Sequence, residues 1–175
     1  MTDGFAHRLP LNQIRDGERL DLTADEGERR SVAERLGLQS LDRLEAHVVL
    51  ERKGEIVRAN GRIKSTLCQS CVVTGDPLDA HVDEPFELLF LPEPTSDSSA
   101  EEVELASSDC DTVFHDGLAI DLGGAIADTL ALNLDPYPRS PGAEAALKEA
   151  GVLSEEEAGP FAALAKLKRS DSDRP

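Results

Sequence analysis

One extended segment, residues 56–67, constrains this chain more than any other, because it alternates strictly and then runs into a paired-thiol turn. Val57, Ala59, Gly61, Ile63, Ser65 and Leu67 fall on one parity, small and mostly apolar. Arg58, Asn60, Arg62, Lys64 and Thr66 fall on the other. A period of two is what a β-strand imposes, since successive side chains point to opposite faces. One dry face and one wet face belong to an antiparallel sheet, because a doubly covered parallel sheet reads as an unbroken apolar run. The strand then delivers Cys68-Gln69-Ser70-Cys71, with Cys68 continuing the polar row. A cationic stripe and a CxxC therefore stand side by side.

That stripe is an exception in an acidic chain. Lys plus Arg total 18 against 35 Asp plus Glu, a net charge of −17. Such a field repels free nucleic acid and attracts basic partners, because RNA affinity rests largely on cations that neutralise phosphates. No DNA partner is expected, and RNA contact requires the few cations to be gathered on one face. The 175 residues suffice for one ordinary domain with a real core. Aromatics are only 3%, so that core must be built from Leu, Val, Ile and Ala with a few Phe anchors. Three cysteines, two of them in one CxxC, do not form a secreted disulfide framework. The first eight residues lack the apolar stretch of a signal peptide, and nowhere do about 18 apolar residues run together. A cytoplasmic location with no membrane partner is expected.

Around the long strand, residues 5–14 and 19–22 read as short strands. Thr23-Ala24-Asp25-Glu26 has the T-x-x-E form of a capping box, followed by a helix to about Leu36 and a stop at Gly37. Residues 44–51 are the next strand, and Arg52-Lys53-Gly54-Glu55 is a turn into the long one. A further turn, Thr74-Gly75-Asp76-Pro77, leads to a strand over 78–91 with Val82, Phe86, Leu88 and Phe90 on one parity. Pro85 within it has no N–H for a ladder and points to an edge or bulge. Residues 93–111, rich in Pro, Ser, Asp and Glu and without Lys or Arg, read as an acidic flexible insert. It is either a passive connector or an acidic arm. Order resumes near Thr112; Asp121 then caps a helix whose Leu122, Ala125, Ile126, Thr129 and Leu130 share a face meant for the sheet. Prolines 136, 138 and 141 forbid helix after it. The expected fold class is α+β: an antiparallel β-meander or partial barrel with helices packed against it. Residues 1–142 form the core domain and 143–175 a helical C-terminal tail.

The ordered set of elements resembles the YceD-type large ribosomal RNA subunit accumulation proteins. The matching pieces are the strand into CxxC (61–71) and the strand Phe86-Glu87-Leu88-Leu89-Phe90-Leu91-Pro92, followed by an acidic variable insert. Then come Ile120-Asp121-Leu122 opening a helix that ends Leu130-Ala131-Leu132-Asn133-Leu134-Asp135-Pro136, and the terminal Pro160-Phe161-Ala162-Ala163-Leu164-Ala165-Lys166-Leu167-Lys168. Order and spacing match over roughly residues 44–169; no one motif is specific, but the set is. The resemblance implies a non-enzymatic cytosolic factor supporting synthesis, processing or stability of large-subunit (23S) ribosomal RNA. Its partner would be that RNA or its precursor particle. One departure stands out: many relatives carry further Cys or His after the helix, whereas residues 135–144 here contain neither.

Three roles remain open for the residues singled out. In the first, Arg58, Arg62 and Lys64 contact RNA or an acidic protein surface, with Phe161, Leu164 and Lys168 of the terminal helix as a docking element; a solvated sheet face and a helix packed back on the domain are the plain alternatives. In the second, the acidic body chaperones a basic ribosomal protein and never touches RNA. In the third, Cys68 and Cys71 bind zinc or sense thiol chemistry. A structural zinc wants four ligands, so His81, Cys110, His115 or His47 would have to complete the pair, His81 first among them. No resident cofactor is otherwise expected, and the pair is equally a relic turn of two small thiols. A thioredoxin-like role needs CxxC at a helix N-terminus, and here the motif follows a strand. No nucleophile–base or phosphate-loop arrangement is found, so no catalytic residue is named.

Overall fold

The computed structural model describes residues 4–93 and 111–152. The insert residues 94–110, Cys110 among them, and the terminal segment with Phe161, Leu164 and Lys168 lie outside the described residues. The architecture is α+β, as expected. Strands β1 (Arg8–Pro10), β2 (Glu18–Thr23), β3 (Ser40–Lys53), β4 (Ile56–Ser70), β5 (Pro77–Pro92), β6 (Asp111–His115) and β7 (Ala119–Asp121) are joined by helices α1 (Glu26–Leu36), α2 (Leu122–Leu132) and α3 (Ala143–Glu149). β2-β3-β4-β5-β6 form a five-stranded sheet in that order, open at both edges, and β1 with β7 forms a two-stranded one.

The expected meander is the middle of this sheet, with longer strands than the apolar runs alone suggest. β3 and β4 pair antiparallel from Ser40 opposite Cys68 to Lys53 opposite Ile56. That leaves Gly54 and Glu55 as a two-residue hairpin loop, and Gly54 takes φ 66°, the left-handed geometry such loops demand at their first position. β6 departs from the meander: it runs parallel to β5, with Leu88 opposite Asp111 through Pro92 opposite His115. Parallel neighbours cannot be joined by a tight hairpin, and the long segment separating Pro92 from Asp111 supplies the needed length. Among the described residues β6 pairs with β5 from Leu88 onward, and Pro85 lies before that pairing begins, where a missing N–H is tolerated.

Two local readings change. Residues 5–14 hold only the short β1, followed by a 3-10 turn over Leu11–Gln13. The capping box on α1 is Asp25 with Glu28, not Thr23 with Glu26. The Asp25 carboxylate accepts from the Glu28 amide at 2.8 Å and the Glu28 carboxylate from the Asp25 amide at 2.9 Å. Thr23 is unavailable because it is the last residue of β2, opposite Glu45. Gly37 ends the helix with φ 66° as expected. On α2, the Asp121 carboxylate accepts from the Gly124 amide at 2.9 Å, and Leu122, Ala125, Ile126, Thr129 and Leu130 are buried.

The chain divides into two compact units: Met1–Gln69 with Asp79–Pro136, and Ser70–Leu78 with Tyr137–Pro175. The first holds one aliphatic core. Val57, Ala59, Ile63 and Leu67 of β4 meet Leu44, Ala46, Val48 and Leu50 of β3, Leu88 and Phe90 of β5, and the buried face of α2. Of the described aromatics, only Phe5 and Phe90 are fully in it, and Phe86 lies partly buried against it. In the second unit the Val72 amide donates to the Pro138 carbonyl at 2.9 Å, and Ala143 at the start of α3 is buried. Among the described residues no helix is long and apolar enough to cross a membrane.

Gly61 is the tightest point of β4. A Cβ there would lie 2.3 Å from the His47 carbonyl oxygen and 2.7 Å from the Phe86 ring, so the aromatic ring occupies the space a side chain would need. Gly61→Val should therefore lower stability by on the order of 1–3 kcal/mol through overpacking. Thermal unfolding followed by circular dichroism checks this; an unchanged melting temperature would refute the close approach.

Candidate functional site

β4 places its cations as the alternation predicts. Val57, Ala59, Ile63, Ser65 and Leu67 are buried, while Arg58, Arg62 and Lys64 project from the other face, each about half exposed. What surrounds them was not anticipated. On the β5 side, Arg58 pairs with Glu87 at 3.0 Å, Arg62 with the Asp83 carboxylate, and Lys64 reaches the same carboxylate at 3.9 Å. Arg62 also donates to the Asp83 carbonyl at 3.0 Å. On the β3 side the register sets Glu51 opposite Arg58, His47 opposite Arg62 and Glu45 opposite Lys64. His47 in turn contacts Asp21 of β2, and Arg43 pairs with Glu45 at 2.6 Å.

The cationic column therefore runs between two columns rich in carboxylates. Arg62 holds the Asp83 carboxyl below its usual range, first by its hydrogen bond and then by charge, with Lys64 adding to it. The Arg43 hydrogen bond does the same for Glu45. Exposed ion pairs of this kind contribute little to stability. Their effect is on the field: a bare cationic stripe becomes a surface of alternating sign. The acidic parity row of β5 (Asp79, Asp83, Glu87) was legible as soon as its apolar row was assigned; the pairing register was not.

The two CxxC sulfurs have different surroundings. Cys68 is half-buried; its Sγ lies 3.9 Å from the Gln39 side-chain oxygen and 3.7 Å from the Gln69 carbonyl. Cys71, in the second unit, is buried, and its Sγ accepts from the Ser140 amide at 3.2 Å and the Thr74 amide at 3.4 Å. The Cys71 amide donates to the Asp76 carbonyl at 2.8 Å, and the Thr74 hydroxyl to the Asp76 carboxylate at 2.6 Å. Hydrogen bonding from the Ser140 and then the Thr74 side chain, with smaller contributions from the two amides, pulls the Cys71 thiol down to about 6, against the opposing effect of burial. Ser140 stands in the segment that has neither Cys nor His, and sequence reading gave no reason to single it out.

The histidines weighed as metal ligands are engaged elsewhere. His81 is exposed, with Nδ1 3.3 Å from the Thr66 hydroxyl. His115 is buried: Nε2–H donates to the Glu55 carbonyl at 2.8 Å while Nδ1 accepts from the Gly117 amide at 3.1 Å, which fixes a neutral tautomer. Among the described residues no group of three His, Cys, Asp or Glu is arranged to hold a metal ion, so no step is built on zinc. A hollow of about 330 Å³ between α1 and the start of β3 is lined by Glu26, Arg29, Arg30 and Asp42 among others. Its arginines are already used, Arg30 on Glu26 and Arg29 on the Ala24 carbonyl.

A lowered thiol pKa makes a pH-dependent contribution to stability. The folded state favours the Cys71 thiolate, so the contribution is complete above the unfolded value near 9, declines as pH falls, and is gone below about 6. Wild-type protein should thus exceed Cys71→Ala in melting temperature most at pH 9, and the part of that gap due to ionisation should close by pH 6. A gap independent of pH across this window would show that the sulfur acts only by packing.

The chain matches the family model described as large ribosomal RNA subunit accumulation protein YceD over residues 59–168. No curated protein and no solved structure shows a significant match. The matched span begins inside β4, just after Arg58, and takes in Arg62 and Lys64, the CxxC, β5 and α2. On that coverage, which is more than half of its length, the chain belongs to the YceD family.

Proposed function

We propose that this chain is a non-enzymatic cytoplasmic factor that supports accumulation of large-subunit (23S) ribosomal RNA by holding a basic ribosomal protein. The family's description supplies the pathway. The choice of partner rests on one observation: Arg58, Arg62 and Lys64 each face a carboxylate of β5. A phosphate backbone approaching this face would meet Asp83 and Glu87 together with the cations, and RNA affinity depends on uncompensated ones. A cationic protein meets no such conflict, and the net charge of −17 draws it in.

A second reading, direct RNA contact, keeps one observation in its favour. The three cations share one face and are about half exposed, and exposed pairs exchange partners at little cost. The two readings separate by unmasking the column. With Asp83→Asn and Glu87→Gln together, RNA contact predicts tighter binding of a single-stranded RNA oligonucleotide and a steeper salt dependence. The basic-protein reading predicts negligible RNA binding before and after. In cells, a deletion strain should show a reduced ratio of 23S to 16S RNA; an unchanged ratio would remove the pathway itself.

The same proposal has the chain working without a resident metal. Two backbone amides already donate to the Cys71 sulfur, so its partners are N–H groups rather than a cation. Elemental analysis of freshly purified protein should find zinc well below one atom per chain, and Cys68→Ser with Cys71→Ser should leave rRNA accumulation intact. Stoichiometric zinc lost in that variant would restore the metal reading.

A further inference from the structure

The cationic column is only part of the wet face; at one end of it lies an apolar strip that the activity outlined above does not use. Ile56 opens β4 directly after the Gly54-Glu55 turn and is 43% exposed. Leu89 and Leu91 of β5 stand on the parity opposite the buried Leu88 and Phe90, so they face the same way as Arg58 and Arg62. Phe114 of β6 is paired with Leu91 and is 57% exposed. Register thus carries an apolar strip across three neighbouring strands. Beside it a hollow of about 170 Å³ is lined by Ile56 and Leu89 together with Glu51, Lys53 and Arg58.

An apolar strip crossing an open sheet is costly to leave in water, and exposed patches of this kind mark interaction sites. Its rim says what kind of partner fits. Glu51, Glu87, Glu55 of the adjoining turn and Glu93 after β5 are acidic. Arg58 and Glu87 offset each other as an ion pair, which leaves Glu51, Glu55 and Glu93 against the single cation Lys53. An RNA strand or an acidic peptide would place like charges against that rim, whereas a cationic polypeptide finds complementary charge around an apolar centre. Apolar anchors within a polar, charged rim are the usual anatomy of a specific protein interface.

We propose that the strip formed by Ile56, Leu89, Leu91 and Phe114 is the docking surface for a lysine- or arginine-rich protein segment carrying apolar side chains. The acidic rim gives attraction and the strip gives selectivity among cationic chains. The assignment rests on the basic-partner reading above and locates it on the fold. Net charge alone would bind any polycation alike, so the apolar contribution is what separates this surface from a diffuse acidic field.

The test compares two fluorescent peptides of equal charge at physiological salt, one an oligolysine and the other carrying leucines between its lysines. Wild-type protein should bind the leucine-bearing peptide at least tenfold tighter. Ile56→Ser with Phe114→Ser should abolish that preference while oligolysine binding stays the same. Phe114→Ser alone, at an exposed edge position, should reduce the preference without shifting the melting temperature. The proposal is overturned if the double variant keeps the preference or if wild type has none. It is also overturned if an RNA oligonucleotide binds wild type and is lost on these substitutions, or if sedimentation shows a dimer that they convert to monomer. The rRNA ratio in the deletion strain is scored separately. A wild-type preference that the double variant abolishes, together with a normal ratio, defeats the pathway and keeps the surface; no preference in wild type, together with a reduced ratio, does the reverse.

Discussion

The alternation of β4 between an aliphatic core and a charged face is the constraint on which the rest of this structure depends. Val57, Ala59, Ile63 and Leu67 are all buried, and burying a large aliphatic side chain stabilises by about 1.5–3 kcal/mol. A slip of one residue would turn that whole set outward. Core packing therefore sets the register, and the register then decides which carboxylate meets which cation. Arg62 lies between His47 and Asp83 because Ile63 has to lie against Ala46 and its neighbours, not because the ion pairs hold the strands together. The electrostatic face is a consequence of the hydrophobic one.

This order of causes bears on function. In a chain with 35 acids and 18 cations, a column of three cations could have been a patch reserved for phosphate. Its neighbours make it instead the middle of a surface on which the signs alternate. A surface of that kind gives little long-range attraction for RNA, and the net negative field around it favours cationic protein. The apolar strip at the Ile56 end lies on the same face of the same sheet, within a few residues of these ion pairs. The parallel strand β6 matters here, because it adds Phe114 to a face that an antiparallel meander alone would have ended at Leu91.

The CxxC segment follows a different logic. Its two sulfurs are spaced like metal ligands, yet Cys71 uses its lone pairs on the amides of Thr74 and Ser140. Hydrogen bonds to the charged form lower a pKa even where burial raises it, and here they prevail. Ser140 thereby joins two stretches far apart in the chain, without a cysteine or histidine in the second of them. The arrangement accounts for an ordered turn at Cys71 without any cysteine or histidine supplied by residues 135–144.

The order of elements, the alternation of β4, the capping of α2 by Asp121, the glycine turns at Gly37 and Gly54 and the family itself were legible in the sequence. Each is a local pattern: a period, a cap, a left-handed position or an ordered set of motifs. The cap on α1 was read two residues early, because Thr23 looks like a cap until β2 claims it. The acid columns beside Arg58, Arg62 and Lys64, the parallel placement of β6, the partners of Cys71 and the contiguity of Ile56, Leu89, Leu91 and Phe114 were decided by the tertiary structure alone. All four depend on which residues far apart in the chain become neighbours. That choice is made by the packing of the whole core, and no local stretch of sequence contains it.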